Sequence, residues 1–230
     1  MYFQHAEAIR SAFPGLAAMA ITTAGITPDA DVDEQVARFT AIAKSRLAGG
    51  TESDLPEIKA WRQAFSKMGL KPTQYRCASE ALLRRLRKEG ELPRIHPLID
   101  LCNAVSVAYA IPVAALDLDR ISGDLEVRQA TGEEVYDTFG GTTENPEPGE
   151  VVFADTAGRS HARRWTNRQS GLSAVRPETS RVLIVAEALH ESASEDIAAL
   201  MKTLVDELAA VWETTPASAV LSAAAPRFEA

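Results

Sequence analysis

Cysteine is scarce in this chain: Cys77 and Cys102 are the two present in 230 residues. Two thiols give no disulfide framework and suit a reducing compartment. Their separation is wrong for a zinc site, and four scattered histidines add nothing to it. The sequence therefore implies no metal. Long apolar runs are also missing. None approaches the roughly 20 residues that cross a bilayer, so no membrane partner is expected. Met1 to Gly15 lacks a basic segment followed by a long apolar one, which argues against a secretory signal and for the cytoplasm. No glycine-rich phosphate loop occurs, so no nucleotide or other organic cofactor is implied. Basic residues are in deficit, with a formal net charge of -8. Phosphate contacts dominate non-specific nucleic-acid affinity, so no DNA partner is expected of so acidic a chain.

What is present is an apolar fraction of 46%, enough for the core of one domain, or of one domain with an extension. The charge is unevenly spread. Lys71 to Asp100 carries a net +3, Arg159 to Arg168 a net +4, and Ala186 to Glu213 a net -6. A basic face for RNA with an acidic back fits this distribution, and so do ordinary solvated helix faces.

Periodicity divides the chain. Leu16 to Thr23 is small and apolar and predicts a buried strand. Ala30 to Leu47 and Leu55 to Met68 have helical spacing, the second with Ile58, Trp61, Phe65 and Met68 on one stripe. Ser79 suits the N-cap of a helix over Glu80 to Glu89, closed by Gly90. Pro97 suits the first turn of a helix that runs to about Tyr109 and ends at Ile111-Pro112. The second half changes character. Asp124 to Ala130, Val151 to Ala154, Arg159 to Trp165 and Arg181 to Ala186 read as short strands. A long helix follows from Ser192 to Trp212, then a tail rich in Ala, Ser and Pro that is expected to fray. The expectation is an α+β fold in four parts: an N-terminal strand and helices over residues 1–75, a core domain over 76–190, a C-terminal helix over 191–213 and a flexible tail over 214–230.

Three groups of residues are candidates for chemistry. On the helix from Pro97, Asp100 and Asn103 lie three apart and share a face, with His96 just ahead; equally, Asn103 satisfies a buried backbone group and His96 caps the helix. Glu187 directly follows an apolar strand, an unusual place for an acid. Arg164-Trp165-Thr166-Asn167-Arg168-Gln169-Ser170 puts an aromatic beside amide and guanidinium donors, a combination that stacks and hydrogen-bonds bases; the alternative is a core Trp165 and a solvated Arg168.

The order of these segments, from Leu92-Pro93-Arg94-Ile95-His96-Pro97 through Asp100-Leu101-Cys102-Asn103-Ala104-Val105 and Leu116-Asp117 to Val185-Ala186-Glu187-Ala188-Leu189, resembles the B3/B4 domain of the bacterial phenylalanyl-tRNA synthetase beta subunit. The resemblance covers roughly Ser79 to Leu189. It implies a sheet of short, mostly antiparallel strands flanked by helices, and an editing pocket that hydrolyses wrongly charged tRNA. In that family the matching helix reads Asp-x-Thr-Asn-Tyr-Val, which makes Asn103 a pocket residue with Cys102 in the Thr place. A Glu in a Leu-Leu-Glu-x-Ala context contacts the side chain of the misactivated amino acid, which Glu187 matches. The family's Pro-Leu-His-Ala-Phe-Asp segment becomes Pro112-Val113-Ala114-Ala115-Leu116-Asp117, so Ala114 stands where the editing-site His does. His96 and His161 are the candidates to replace that imidazole, and an activated ester can also be hydrolysed without one. Where the synthetase has a glycine turn, the segment around Trp165 is similar to the Trp-Asn-Trp-Arg stretch of free-standing relatives.

The resemblance thus implies trans-editing hydrolysis of mischarged aminoacyl-tRNA, with Asn103 and Glu187 as catalytic residues. Arg94, His96, Asp100, Ala114, Trp165, Asn167, Arg168 and Gln169 are then the substrate-binding set, and the 3′ end of a charged tRNA is the partner. A non-catalytic module that binds tRNA or an amino acid is the alternative, and a complete tRNA ligase is not expected.

Overall fold

The computed structural model describes residues 1–222 and 224–229. Its centre is a four-stranded sheet in the order β11-β2-β10-β3, where β2 is Ala17–Ala24, β3 Val113–Asp117, β10 Arg181–Ala188 and β11 Ala217–Leu221. All its ladders are antiparallel. Strand β10 is buried from Val182 to its end. That is why its sequence is a continuous apolar run: both faces are covered and no polar side can show.

A second sheet has six strands in the order β12-β1-β4-β7-β8-β9. It comprises β1 (Tyr2–His5), β4 (Leu125–Gln129), β7 (Val151–Asp155), β8 (Ser160–Arg163), β9 (Arg168–Gln169) and β12 (Arg227–Glu229). Its β1–β4 pair is parallel and the rest antiparallel. A small hairpin joins β5 (Tyr136–Asp137) to β6 (Thr143–Glu144).

Among the described residues six α-helices complete the fold: α1 (Glu7–Ala12), α2 (Asp33–Leu47), α3 (Pro56–Lys67), α4 (Ala78–Glu89), α5 (Pro97–Tyr109) and α6 (Ala193–Trp212). Helix α6 packs on β2, β10 and β11, α3 reaches β10, and α5 joins α2 and α4 to β3. One apolar core runs from Phe3 to Phe228 through both sheets and the helices. The α+β architecture of short, mostly antiparallel strands is therefore as the sequence predicts.

Local signals explain most helix ends. Gly90 closes α4 at φ 83°, in the left-handed region that glycine enters without steric cost. Pro97 opens α5, and the His96 ring accepts the Leu98 N–H at 3.2 Å. Two expectations are corrected. Cys77, not Ser79, holds the N-cap position of α4, so Ser79 lies inside the first turn, where it is fully buried. The segment expected to be a flexible tail forms β11 on the edge of β2 and β12 on the edge of β1. Leu221 and Phe228 anchor it in the core, and a small-residue strand needs few large side chains when an open sheet edge supplies its backbone partners. Ala223 and Ala230 of that tail lie outside the described residues.

Candidate functional site

A narrow, solvent-open cleft lies where the two sheets meet. Strands β3 and β10 form one wall, with Val113, Ala114, Leu116 and Val185. Phe153 of β7 and Ala162 of β8 form the other. The turn between β8 and β9 closes it with residues Trp165 to Gln169, and Ala78 at the start of α4 completes the rim.

That turn holds two consecutive non-glycine residues in the left-handed region, Arg164 at φ 48° and Trp165 at φ 59°. Each costs about 1 kcal/mol or more against right-handed backbone. Tertiary contacts offset the cost. The Trp165 indole is fully buried, edge-on to Phe13 (centroids 4.9 Å) and to Trp61 (5.0 Å). The Trp165 N–H donates to Val151 O at 2.7 Å, and the Arg164 guanidinium lies over the Tyr75 ring.

Glu187 is 2% exposed and still lines the cleft. Its Oε1 accepts two hydrogen bonds, from Trp165 Nε1 at 2.8 Å and from His5 Nε2 at 2.5 Å. Its Oε2 accepts none from the described residues. A carboxylate buried this deeply needs such partners to stay in the fold. The His5 side chain is fully buried, and its Nδ1 has no hydrogen-bond partner.

Two amides brace the turn from opposite sides. Asn167 Nδ2 donates to Arg76 O at 2.7 Å and Gln169 Nε2 to Ala115 O at 2.9 Å. With both amide groups donating to backbone, their side-chain oxygens are left to face other donors. Thr166 Oγ1 is buried without a partner. The polar residues at the edge of this apolar cleft are Thr166, Asn167, Arg168, Gln169 and Glu187.

The structure brings together Ala114, Trp165, Asn167, Arg168, Gln169 and Glu187. It does not bring the others. Asn103 is half-buried on α5 and does not line the cleft. His96 caps α5, and burial pushes its pKa down against the pull of Asp100. Asp100 accepts the Ile95 N–H at 2.8 Å and meets Arg94 Nε at 3.1 Å, while Arg94 also pairs with Asp33. Arg94, His96 and Asp100 build the start of α5, a role their residue types serve as well as catalysis.

Two further expectations are corrected. Trp165 has no exposed face on which a base could stack. Arg168 is exposed, but it is paired with Glu144 at 3.1 Å and lies over the Tyr136 ring. Neither His96 nor His161 supplies an imidazole to the cleft. His161 is fully buried between Ser173 Oγ (2.8 Å) and Asp155 Oδ2 (3.2 Å). The imidazole nearest the chemistry is His5, which sequence reasoning missed. Nothing in Tyr2-Phe3-Gln4-His5 signals it, because its partner lies 182 positions away.

The family model described as "B3/4 domain" matches residues 60–206, well over half of the chain. The chain belongs to the B3/4 domain family. It is 34% identical over 73 residues to the phenylalanine–tRNA ligase beta subunit of Shewanella oneidensis, covering 32% of this chain and 9% of that one. Against the same subunit of Tropheryma whipplei it is 31% identical over 111 residues, or 48% and 11% of the two chains. The chain thus spans about a tenth of the length of these curated relatives. Among solved structures, an N-terminal fragment of the phenylalanyl-tRNA synthetase beta subunit from Pyrococcus horikoshii aligns over 93% of this chain and 49% of that one, with a TM-score of 0.48 and 10% identity. Glu187 lies inside the matched residues and His5 outside them.

Proposed function

We propose that this cleft takes the aminoacyl end of a charged tRNA and hydrolyses its ester, clearing wrongly charged tRNA in trans. The observation that carries this is Glu187: a carboxylate whose Oε1 is pinned by His5 and Trp165, leaving Oε2 free at an apolar cleft. An aminoacyl group has the complementary chemistry. Its ammonium is attracted to the Glu187 carboxylate, and an apolar side chain fits against Val113, Leu116, Phe153 and Val185. The names of the relatives place their own chains with tRNA, which supports tRNA as the carrier here.

An aminoacyl ester is already activated, so positioning a water achieves much of the chemistry. Glu187 Oε2 takes a proton as the water oxygen bonds to the carbonyl carbon. The tetrahedral intermediate collapses by breaking the bond to the terminal ribose oxygen, and Glu187 returns the proton to that oxygen. Free amino acid and tRNA leave, with water as the sole co-reactant. His5 and Trp165 act through Glu187 by fixing the orientation of its carboxylate. Ala114 leaves open space on β3 where a larger residue would narrow the cleft. Asn103 has no part in this step, because it stands outside the cleft.

A second reading is a module that binds an amino acid or tRNA without turnover. It is favoured by a cleft lining without imidazole, thiol or ammonium. Deacylation of a panel of correctly and incorrectly charged tRNAs separates the two. Hydrolysis of a mischarged species, reduced at least ~100-fold in Glu187→Gln, supports editing. If wild-type protein deacylates nothing above the buffer rate while free amino acids bind by calorimetry, the binding module stands instead.

A further inference from the structure

A second constellation lies away from the cleft, where the first turns of α3 and α6 meet. Glu57 is in the first turn of α3, Asp196 in that of α6, and His190 just before α6. One donor atom from each lies within 4.8 Å of the other two. We propose that Glu57, His190 and Asp196 form a binding site for a divalent transition-metal ion of the zinc class.

Four observations support this. The donor set is one imidazole and two carboxylates, the nitrogen and oxygen chemistry that suits Zn²⁺, Co²⁺ and Ni²⁺. Glu57 and His190 are 6% and 8% exposed, yet Glu57 Oε2 has no hydrogen-bond partner among the described residues. A buried carboxylate oxygen without a partner is costly, so Glu57 Oε2 marks a place where a ligand is missing. The donors are also oriented from behind. Arg46 donates to Glu57 Oε1 at 2.6 Å, and Ser192 Oγ donates to Asp196 Oδ2 at 2.7 Å, the outer bonding that metal sites use to aim their ligands. Finally, there is an entry path, since Glu57 and Asp196 line a solvent-open groove beside Phe39 and Tyr109.

An ion seated here replaces the 2.7 Å contact of His190 Nε2 with Asp196 Oδ2 by two bonds to itself. Three protein donors leave a fourth position for water. The Arg46 guanidinium offsets one carboxylate, so a divalent ion meets net negative charge. Its effect is to tie α3 to α6, elements far apart in the chain. The two cysteines do not compete: both are buried, and burial pushes their thiols up to about 12.

The test uses the full chain, stripped with chelator and titrated with Co²⁺ and then Zn²⁺. Visible absorption reads coordination and calorimetry reads stoichiometry. The expected result is one ion per chain, with affinity weakened at least ~10-fold in His190→Gln and in Glu57→Gln and unchanged in the exposed control Asp206→Asn. Zn²⁺ should raise the thermal midpoint of the wild type and not of these two site variants. If Glu57→Gln fails to fold through loss of the Arg46 partner, His190→Gln decides alone. No uptake at submillimolar ion, or equal uptake by wild type and folded site variants, overturns the proposal.

Discussion

At the scale of single residues, two tryptophans share one cluster and differ in one atom's surroundings. Trp165 Nε1 donates to Glu187, whereas Trp61 Nε1 is buried with no partner. Replacing each by Phe removes a similar volume but different hydrogen bonding. Trp165→Phe takes a donor from a buried carboxylate and should cost about 1.5–3 kcal/mol more than Trp61→Phe in denaturant unfolding. Equal losses would mean that the indole–carboxylate bond contributes nothing. Glu187 was legible in the sequence, because an acid at the end of an apolar run stands out. Its partners were not. Hydrogen bonds between strands distant in sequence leave no periodicity, so His5 looked like any strand residue.

At the scale of elements, the connection from β4 to β5 is held by one side chain. Glu134 accepts the backbone N–H groups of Thr131 and Gly132 and pairs with Arg128 of β4 at 2.5 Å. Burial works against its charge, but the Thr131 amide and the Arg128 guanidinium prevail and hold its pKa down at about 2. A depressed carboxyl stabilises the fold above its unfolded value of about 4.3 and loses that contribution as pH falls toward 2. Wild-type stability should therefore decline by roughly 2–3 kcal/mol more than that of Glu134→Gln between pH 5 and about 2. Parallel unfolding curves across that range would remove Glu134 from the account. Helices α3, α5 and α6 were legible from apolar spacing and caps. The two-residue strands β5, β6 and β9 were not, being too short to show alternation.

At the scale of the whole molecule, the ends of the chain close both sheets. Strand β11 covers the β2 edge, and β12 pairs with β1 across Phe3 and Phe228. Deleting residues 215–230 should bare two sheet edges and remove Leu221 and Phe228 from the core. A thermal midpoint lower by about 10 °C is expected, whereas a truly flexible tail would leave it within a degree. The same closure carries His5 on β1 to the buried Glu187 Oε1, so the N-terminal strand supports the candidate site as much as the scaffold.

The sequence by itself determined helices α2 to α6, the central apolar strand β10, the α+β class and the family, because these rest on local spacing and on the order of segments. It also singled out Glu187 and the turn after β8, where an acid and an aromatic stand in unusual company. Only the tertiary structure decided which candidates share a site. It sent Arg94, His96, Asp100 and Asn103 to the start and flank of α5, and it supplied His5 from the far end of the chain. It gathered Glu57, His190 and Asp196 from positions whose spacing signals nothing. The physical reason is the same each time. Burial and hydrogen bonding select partners by distance in space, and a sheet whose neighbours are distant in the chain leaves no trace of that distance in local pattern.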